Sequence, residues 1–162
     1  MMKTYFPRLL LALALAGGIG QAMAQATPYG APLSLEQAKK AMAAAESEAS
    51  KNNWNVVIAV VDSGGHLVML QRLENTAYGS LDVAREKAQG AVAFRRPTKA
   101  FQDLIAQGGV NVRLLNLTGD AGVLEGGVPI VAGGKLVGGI GVSGVTSAQD
   151  AQIAQAGADA IK

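Results

Sequence analysis

No cysteine occurs among the 162 residues of this chain. Disulfides, thiolate metal sites and a lipid-modified N-terminal cysteine are therefore excluded, and the absence suits an oxidising compartment where stray thiols are a liability. Histidine occurs once, at His66, which excludes a conventional multi-histidine zinc site. Charged residues make up only 16% of the chain, against roughly 25% in ordinary soluble domains. So little charge on a small chain implies surface hidden against further copies of itself. Long apolar runs are missing too. Leu9 to Ala16 (LLLALALA) falls well short of the ~20 residues a membrane-spanning helix needs, and Gly17, Gly18 and Gly20 break up its C-terminal flank.

That short run is instead read as the core of an export leader. Lys3 and Arg8 precede it, and Ala22-Met23-Ala24 supplies the small-x-small pattern of a processing site, so cleavage is expected after Ala24, delivering the chain to the periplasm or beyond. Removing residues 1–24 changes the charge argument. The whole chain carries 14 Lys+Arg against 12 Asp+Glu, and the leader takes two bases and no acid, so the remainder balances. No electrostatic case for nucleic acid survives.

Residues 25–33 (including TPYGAPL) read as a Pro/Gly linker, and residues 34–162 as one domain. Ser34 and Gln37 fit a capping box, and Leu35, Ala38, Met42, Ala45 and Ala49 continue at helical spacing to about Lys51. Val56 to Val61 is β-branched and apolar on both faces, as a strand covered on each side must be. A turn at Asp62-Ser63-Gly64-Gly65 leads into a partner strand from His66 to Arg72. Ser80 is expected to cap a second helix carrying Leu81, Ala84, Ala88 and Ala91 on one face, ended by Pro97. Thr98 is expected to cap a third helix to about Ala106. Residues 111–125 read as loop with one short extended segment. A second hairpin, Gly126 to Val131 and Lys135 to Val142 around Gly133-Gly134, precedes a last helix capped by Thr146 or Ser147. Paired strands with helices between them predict an antiparallel sheet flanked by helices, hence α+β.

The segments NVVIAVVDSGGHLVMLQR, AREKAQGAVAFRRPTKAF and GGVPIVAGGKLVGGIGVSGVTSAQDAQIAQAG occur in this order. Together with SLEQAKKAMAAAESEA they resemble the GlcG/HbpS family, which includes the C-terminal domain of PduO-type cobalamin adenosyltransferases. The resemblance spans Leu33 to Ile161. It implies a profilin-like fold, assembly as a homo-oligomer from dimer to octamer, and haem or a similar tetrapyrrole as ligand. It implies no single enzymatic reaction. The alternative is an accessory protein or enzyme acting on a small carboxylate in a catabolic, glycolate-type pathway.

Under that resemblance, several residues become candidates for the ligand site. The imidazole of His66 is a haem-iron ligand type, or a polar residue opening a strand. Arg95 and Arg96 offer planar donor forks for haem propionates, or merely complement a helix end and pair with Asp82 or Glu86. Thr98 is an oxygen donor or an N-cap, and Gly127 and Pro129 are candidates for lining the site with closely approaching backbone. Asp82 and Glu86 share one helix face and could bind a hard cation, or pair within the helix. The glycine-rich C-terminal part does not read as a phosphate loop: Gly138-Gly139-Ile140-Gly141 lacks GxxxxGK[ST] spacing. Glycines on a strand instead allow close approach of a helix, a subunit or a flat ligand. Ser143 lies in GVSGV rather than a nucleophile elbow, and its only base would be His66, oriented by Asp62 or Asp120.

Overall fold

A computed structural model describes residues 26–117 and 122–162. The expected leader, the expected cut after Ala24, and Asp120 lie outside those residues. Helix α1 (Leu35–Lys51) begins at the expected box: the Ser34 hydroxyl accepts from the Gln37 N–H at 3.2 Å, and the Gln37 side chain accepts from the Ser34 N–H at 2.8 Å. Ser34→Ala should therefore lower stability by about 1 kcal/mol, read as a lower urea midpoint at unchanged slope.

Strands β1 (Val57–Asp62), β2 (Leu67–Arg72), β3 (Gly127–Ala132) and β4 (Lys135–Ser143) form one sheet in the order β2-β1-β4-β3, every neighbour antiparallel. Side chains alternate across a strand, and β1 with the residue before it buries both faces. Val56, Ile58 and Val60 pack with Ala41 and Met42 of α1 and with Ile153 of α4 (Ser147–Asp159). Val57, Ala59 and Val61 pack with Ala84, Ala88 and Val92 of α2 (Ser80–Phe94). The chain is thus α+β, a four-stranded antiparallel sheet between helix layers.

Gly139 and Gly141 of β4 face α2, while Gly138 faces Leu33. A Cβ on Gly139 would come within 2.7 Å of Val92 Cγ2 and 2.8 Å of the Ala88 carbonyl oxygen, and one on Gly141 would enter the Ala84 carbonyl. The GGIG run is a packing surface that lets a helix backbone lie directly on a strand.

Four expectations need correction. Ser80 does not cap α2; it is buried inside the helix, with Gly79 at the cap position. The turn before it already partners the first N–H groups, Ser80 with the Ala77 carbonyl and Leu81 with that of Tyr78, both at 3.1 Å. Thr98 precedes α3 (Lys99–Ala106) without making a side-chain cap bond. Of the stretch read as loop with a short extended segment, residues up to Asn116 form a 3-10 helix, Gly109–Asn116, and no extended segment occurs among the described residues of 111–125; Gly108 and Gly109, both at positive φ, redirect the chain into the helix. Lastly, the expected linker is tied down. Leu136 N–H donates to the Pro28 carbonyl at 2.9 Å, Gly30 N–H to that of Leu136 at 2.7 Å and Leu33 N–H to that of Val137 at 2.9 Å. Pairing of β1 with β4 stops at Asp62 opposite Gly138. The earlier residues of β4 keep free backbone groups there, and the N-terminal strap takes them.

Candidate functional site

The end of α2 builds the site. Pro97 disfavours helical backbone at Arg96, and the chain leaves the helix through Arg95 in the left-handed conformation (φ 53, ψ 39). Arg95 N–H returns to the Val92 carbonyl and Arg96 N–H to that of Ala91, each at 3.2 Å. Helices commonly end this way on glycine; here an arginine holds the position.

The two arginines then part. The Arg95 guanidinium lies over the Tyr29 ring, 5.2 Å from its centroid. Arg96 donates from Nε to the Phe94 carbonyl at 3.3 Å and lies 5.8 Å from the Phe101 ring. They do not form one clamp. Tyr29 also donates its hydroxyl to the last-turn carbonyls of α2, Val92 at 3.0 Å and Ala93 at 3.2 Å.

Thr98 is fully buried. Its hydroxyl accepts from the Gly127 N–H at 2.9 Å, and its own N–H donates to the Gly127 carbonyl at 3.0 Å. These bonds explain both the missing cap and the glycine, since a Cβ on Gly127 would lie 2.8 Å from Thr98 Cγ2. They also tie the Arg95–Pro97 turn to Val128 and Pro129. Between the two runs opens a groove of about 710 Å³, lined by Arg95, Pro97, Val128, Pro129 and Val131 and, from the C-terminal segment, by Asp159, Ile161 and Lys162. The fold therefore brings Arg95 and Pro129 together as groove lining, with Thr98 and Gly127 as the tie behind them.

His66 is elsewhere. Its side chain is 83% exposed in the β1–β2 turn, with Nδ1 3.3 Å from Asp62 Oδ1. Asp62 organises that turn by accepting from the N–H groups of Gly64 at 2.8 Å and His66 at 2.9 Å. Burial acts to raise the Asp62 carboxyl, but those N–H bonds and the imidazole outweigh it and hold the group below its ordinary 3.8. Ser143 pairs with Val57 at the other end of β1, so a Ser–His couple is excluded. Asp82 pairs with Arg85 at 3.0 Å, and Glu86 lines a separate pocket of about 350 Å³ with Gln89 and Phe94. Among the described residues no three His, Cys, Asp or Glu side chains gather as a metal site.

A buried ion pair was not foreseen from the sequence. Lys87 sends its ammonium 2.8 Å from Asp150 Oδ2 and 3.0 Å from the Val142 carbonyl, with each charged side chain 3% exposed. Lys87 falls in the buried stripe of Ala84 and Ala91, and a lysine there demands a counter-charge. That was the available signal. Burial is the larger influence on the Asp150 carboxyl and raises it, while the ammonium of Lys87 and the N–H groups of Val145 and Gly144 pull the other way.

The model of a family described as haem-degrading, HbpS-like proteins matches residues 33–159. The chain belongs to this family. Protein GlcG of Escherichia coli K12 is 44% identical over 114 residues, covering 68% of this chain and 81% of that protein. The crystal structure of HbpS is 34% identical, covers 82% of this chain and 92% of its own, and superposes with a TM-score of 0.74. A complex of PduOC with haem is 30% identical over 81% of this chain and 96% of its own, with the same TM-score of 0.74. The profilin-like fold expected from the resemblance is thus the fold of this HbpS-like chain. The family match begins at Leu33, so Tyr29 and the strap lie before it.

Proposed function

We propose that this chain is an exported haem-binding protein, serving haem carriage, storage or sensing, with its ligand in the groove beside Arg95. One observation carries the reading: the groove's apolar wall of Pro97, Val128, Pro129 and Val131 shares its lining with two cationic residues, Arg95 and Lys162, against one carboxylate, Asp159. Its volume falls within the roughly 300–1,000 Å³ of small-molecule sites. Such a surface suits a flat apolar macrocycle carrying carboxylates. The PduOC–haem complex supports the choice of ligand.

The residues present fit the macrocycle and its carboxylates. Arg95 and Lys162 hold the carboxylates, Pro129 and the valines hold the ring, and the Thr98–Gly127 bonds keep the two walls in register. Bound haem supplies the iron and its redox chemistry. Among the described residues the groove lining contains no His, Met, Cys or Tyr, so His66 of the same chain is not the iron ligand in this reading. Self-association belongs to it as well: Leu104, Val110, Val112 and Leu115 expose apolar surface on α3 and the 3-10 helix, which a homo-oligomer would cover.

Titrating hemin into residues 25–162 should give a saturable Soret shift. Arg95→Ala should weaken it about tenfold or more, since a hydrogen bond to a charged group contributes about 1.5–3 kcal/mol. Absence of saturation would overturn the haem reading. Heat released on mixing with glycolate or another 2-hydroxy acid, abolished by Arg95→Ala, would favour the small-carboxylate alternative, which the exposed guanidinium also suits. Mass measurement of the exported protein tests the cut after Ala24.

A further inference from the structure

We infer that Tyr29 is a positioning residue: it holds the Arg95 guanidinium at the groove mouth, ready for a ligand carboxylate. The inference rests on the groove reading above and names the chemical class its mouth selects. It starts from an outlier. Among the described residues, non-glycine positive φ occurs at Asn53, Asn75 and Arg95. Asparagine tolerates that conformation through its short polar side chain, whereas arginine has no such excuse. A glycine would end α2 with less strain. An arginine there sacrifices backbone ease for a guanidinium delivered at the turn between α2 and Pro97, and strain of this kind concentrates at functional sites.

The guanidinium is not left to wander. The Tyr29 ring lies beneath it, 5.2 Å from centroid to guanidinium carbon. The ring in turn is fixed from two directions. Its hydroxyl is bonded to the Val92 and Ala93 carbonyls, and its backbone is pinned on either side by the Pro28 and Gly30 bonds to Leu136. Tyr29 therefore ties three things together: the end of α2, the strap, and the guanidinium of groove-lining Arg95. A guanidinium already ordered loses less freedom on meeting a carboxylate, and that gain appears as affinity. A neutral ligand gains nothing from it.

Hemin and hemin dimethyl ester, which lacks free carboxylates, separate this role from a structural one. Each is titrated into the unaltered protein, Arg95→Gly, Tyr29→Leu and Tyr29→Phe, with thermal unfolding recorded alongside. Arg95→Gly should bind hemin about tenfold or more weakly, with a clearly smaller loss for the ester because only hemin offers free carboxylates to the guanidinium, and should lose no thermal stability. Tyr29→Leu should lose about threefold to fivefold for hemin alone, the range of a cation–π contact. Tyr29→Phe keeps the ring and should retain hemin affinity within about twofold, while the lost helix-end bonds lower its melting temperature. Equal losses for hemin and ester, or a Tyr29→Phe as weak as Tyr29→Leu, would overturn the inference and leave Tyr29 a structural cap. Hemin binding untouched by Arg95→Gly would overturn it while leaving haem binding standing. Failure of the unaltered protein to bind hemin at all overturns the haem reading first, and this inference with it.

Discussion

Asp150→Ala is expected to cost about 3–5 kcal/mol of folding free energy, the effect of stranding one member of a buried ion pair. Lys87 reaches from α2 past the start of β3 to the first turn of α4. The path exists because Gly126 and Gly127 carry no side chains; a Cβ on Gly126 would lie 2.8 Å from Lys87 Nζ. At its end the ammonium meets Asp150 and the Val142 carbonyl. Val142 lies where the ladder with β3 runs out, since pairing there begins only at Gly127 opposite Gly141. The pair therefore closes the sheet's end and joins helices from opposite layers. Removing the carboxylate leaves an ammonium that water cannot reach. A loss of this size consumes a large part of the roughly 5–15 kcal/mol that holds a domain folded. Urea denaturation measures it. The companion variant Lys87→Met with Asp150→Leu should recover most of the loss, since an apolar pair of similar volume avoids desolvating two charges. If Asp150→Ala proves as stable as the parent, the pair does not hold the layers together.

Gly141→Val should be nearly as damaging, at about 3 kcal/mol, near the upper end of overpacking penalties. The clash is with backbone: the added Cβ would run into the Ala84 carbonyl and the Ala88 amide. Neither can swing aside as a side chain would. Gly139→Ala should cost less, because part of its clash is with the far end of Val92. Gly65→Ala makes the control. Its φ is +83 with nothing near the new methyl, so it should cost about 1 kcal/mol from backbone strain alone. Thermal unfolding of the three should rank them in that order. A Gly141 variant no worse than the turn variant would mean that α2 does not rest on β4 as described.

These two cases mark where the sequence was legible and where it was not. The strand Val56–Val61 announced burial on both faces by composition alone, and α1 announced its start through Ser34 and Gln37. Both signals are local: periodicity and capping depend on residues a few positions apart. The glycine run of β4 was rightly read as a surface for close approach rather than a phosphate loop. Which element approached could not be read, since α2 lies some 50 positions upstream.

The expectation of export, the charge count and the absence of thiol or multi-histidine chemistry are readings of the residues themselves, because composition and a leader's pattern need no third dimension. The α+β class comes from the order of local patterns, and family membership from motif order, which the comparison bears out. Tertiary structure alone decided how the candidates divide. It set Arg95 apart from Arg96, moved His66 to a turn outside the groove, turned Thr98 from a cap into a tie, and made a supposed linker the seat of Tyr29. Asp150 found Lys87 across 63 positions of sequence. Each outcome depends on which segments the packed sheet and helices bring within bonding distance, and chain separation carries no record of that.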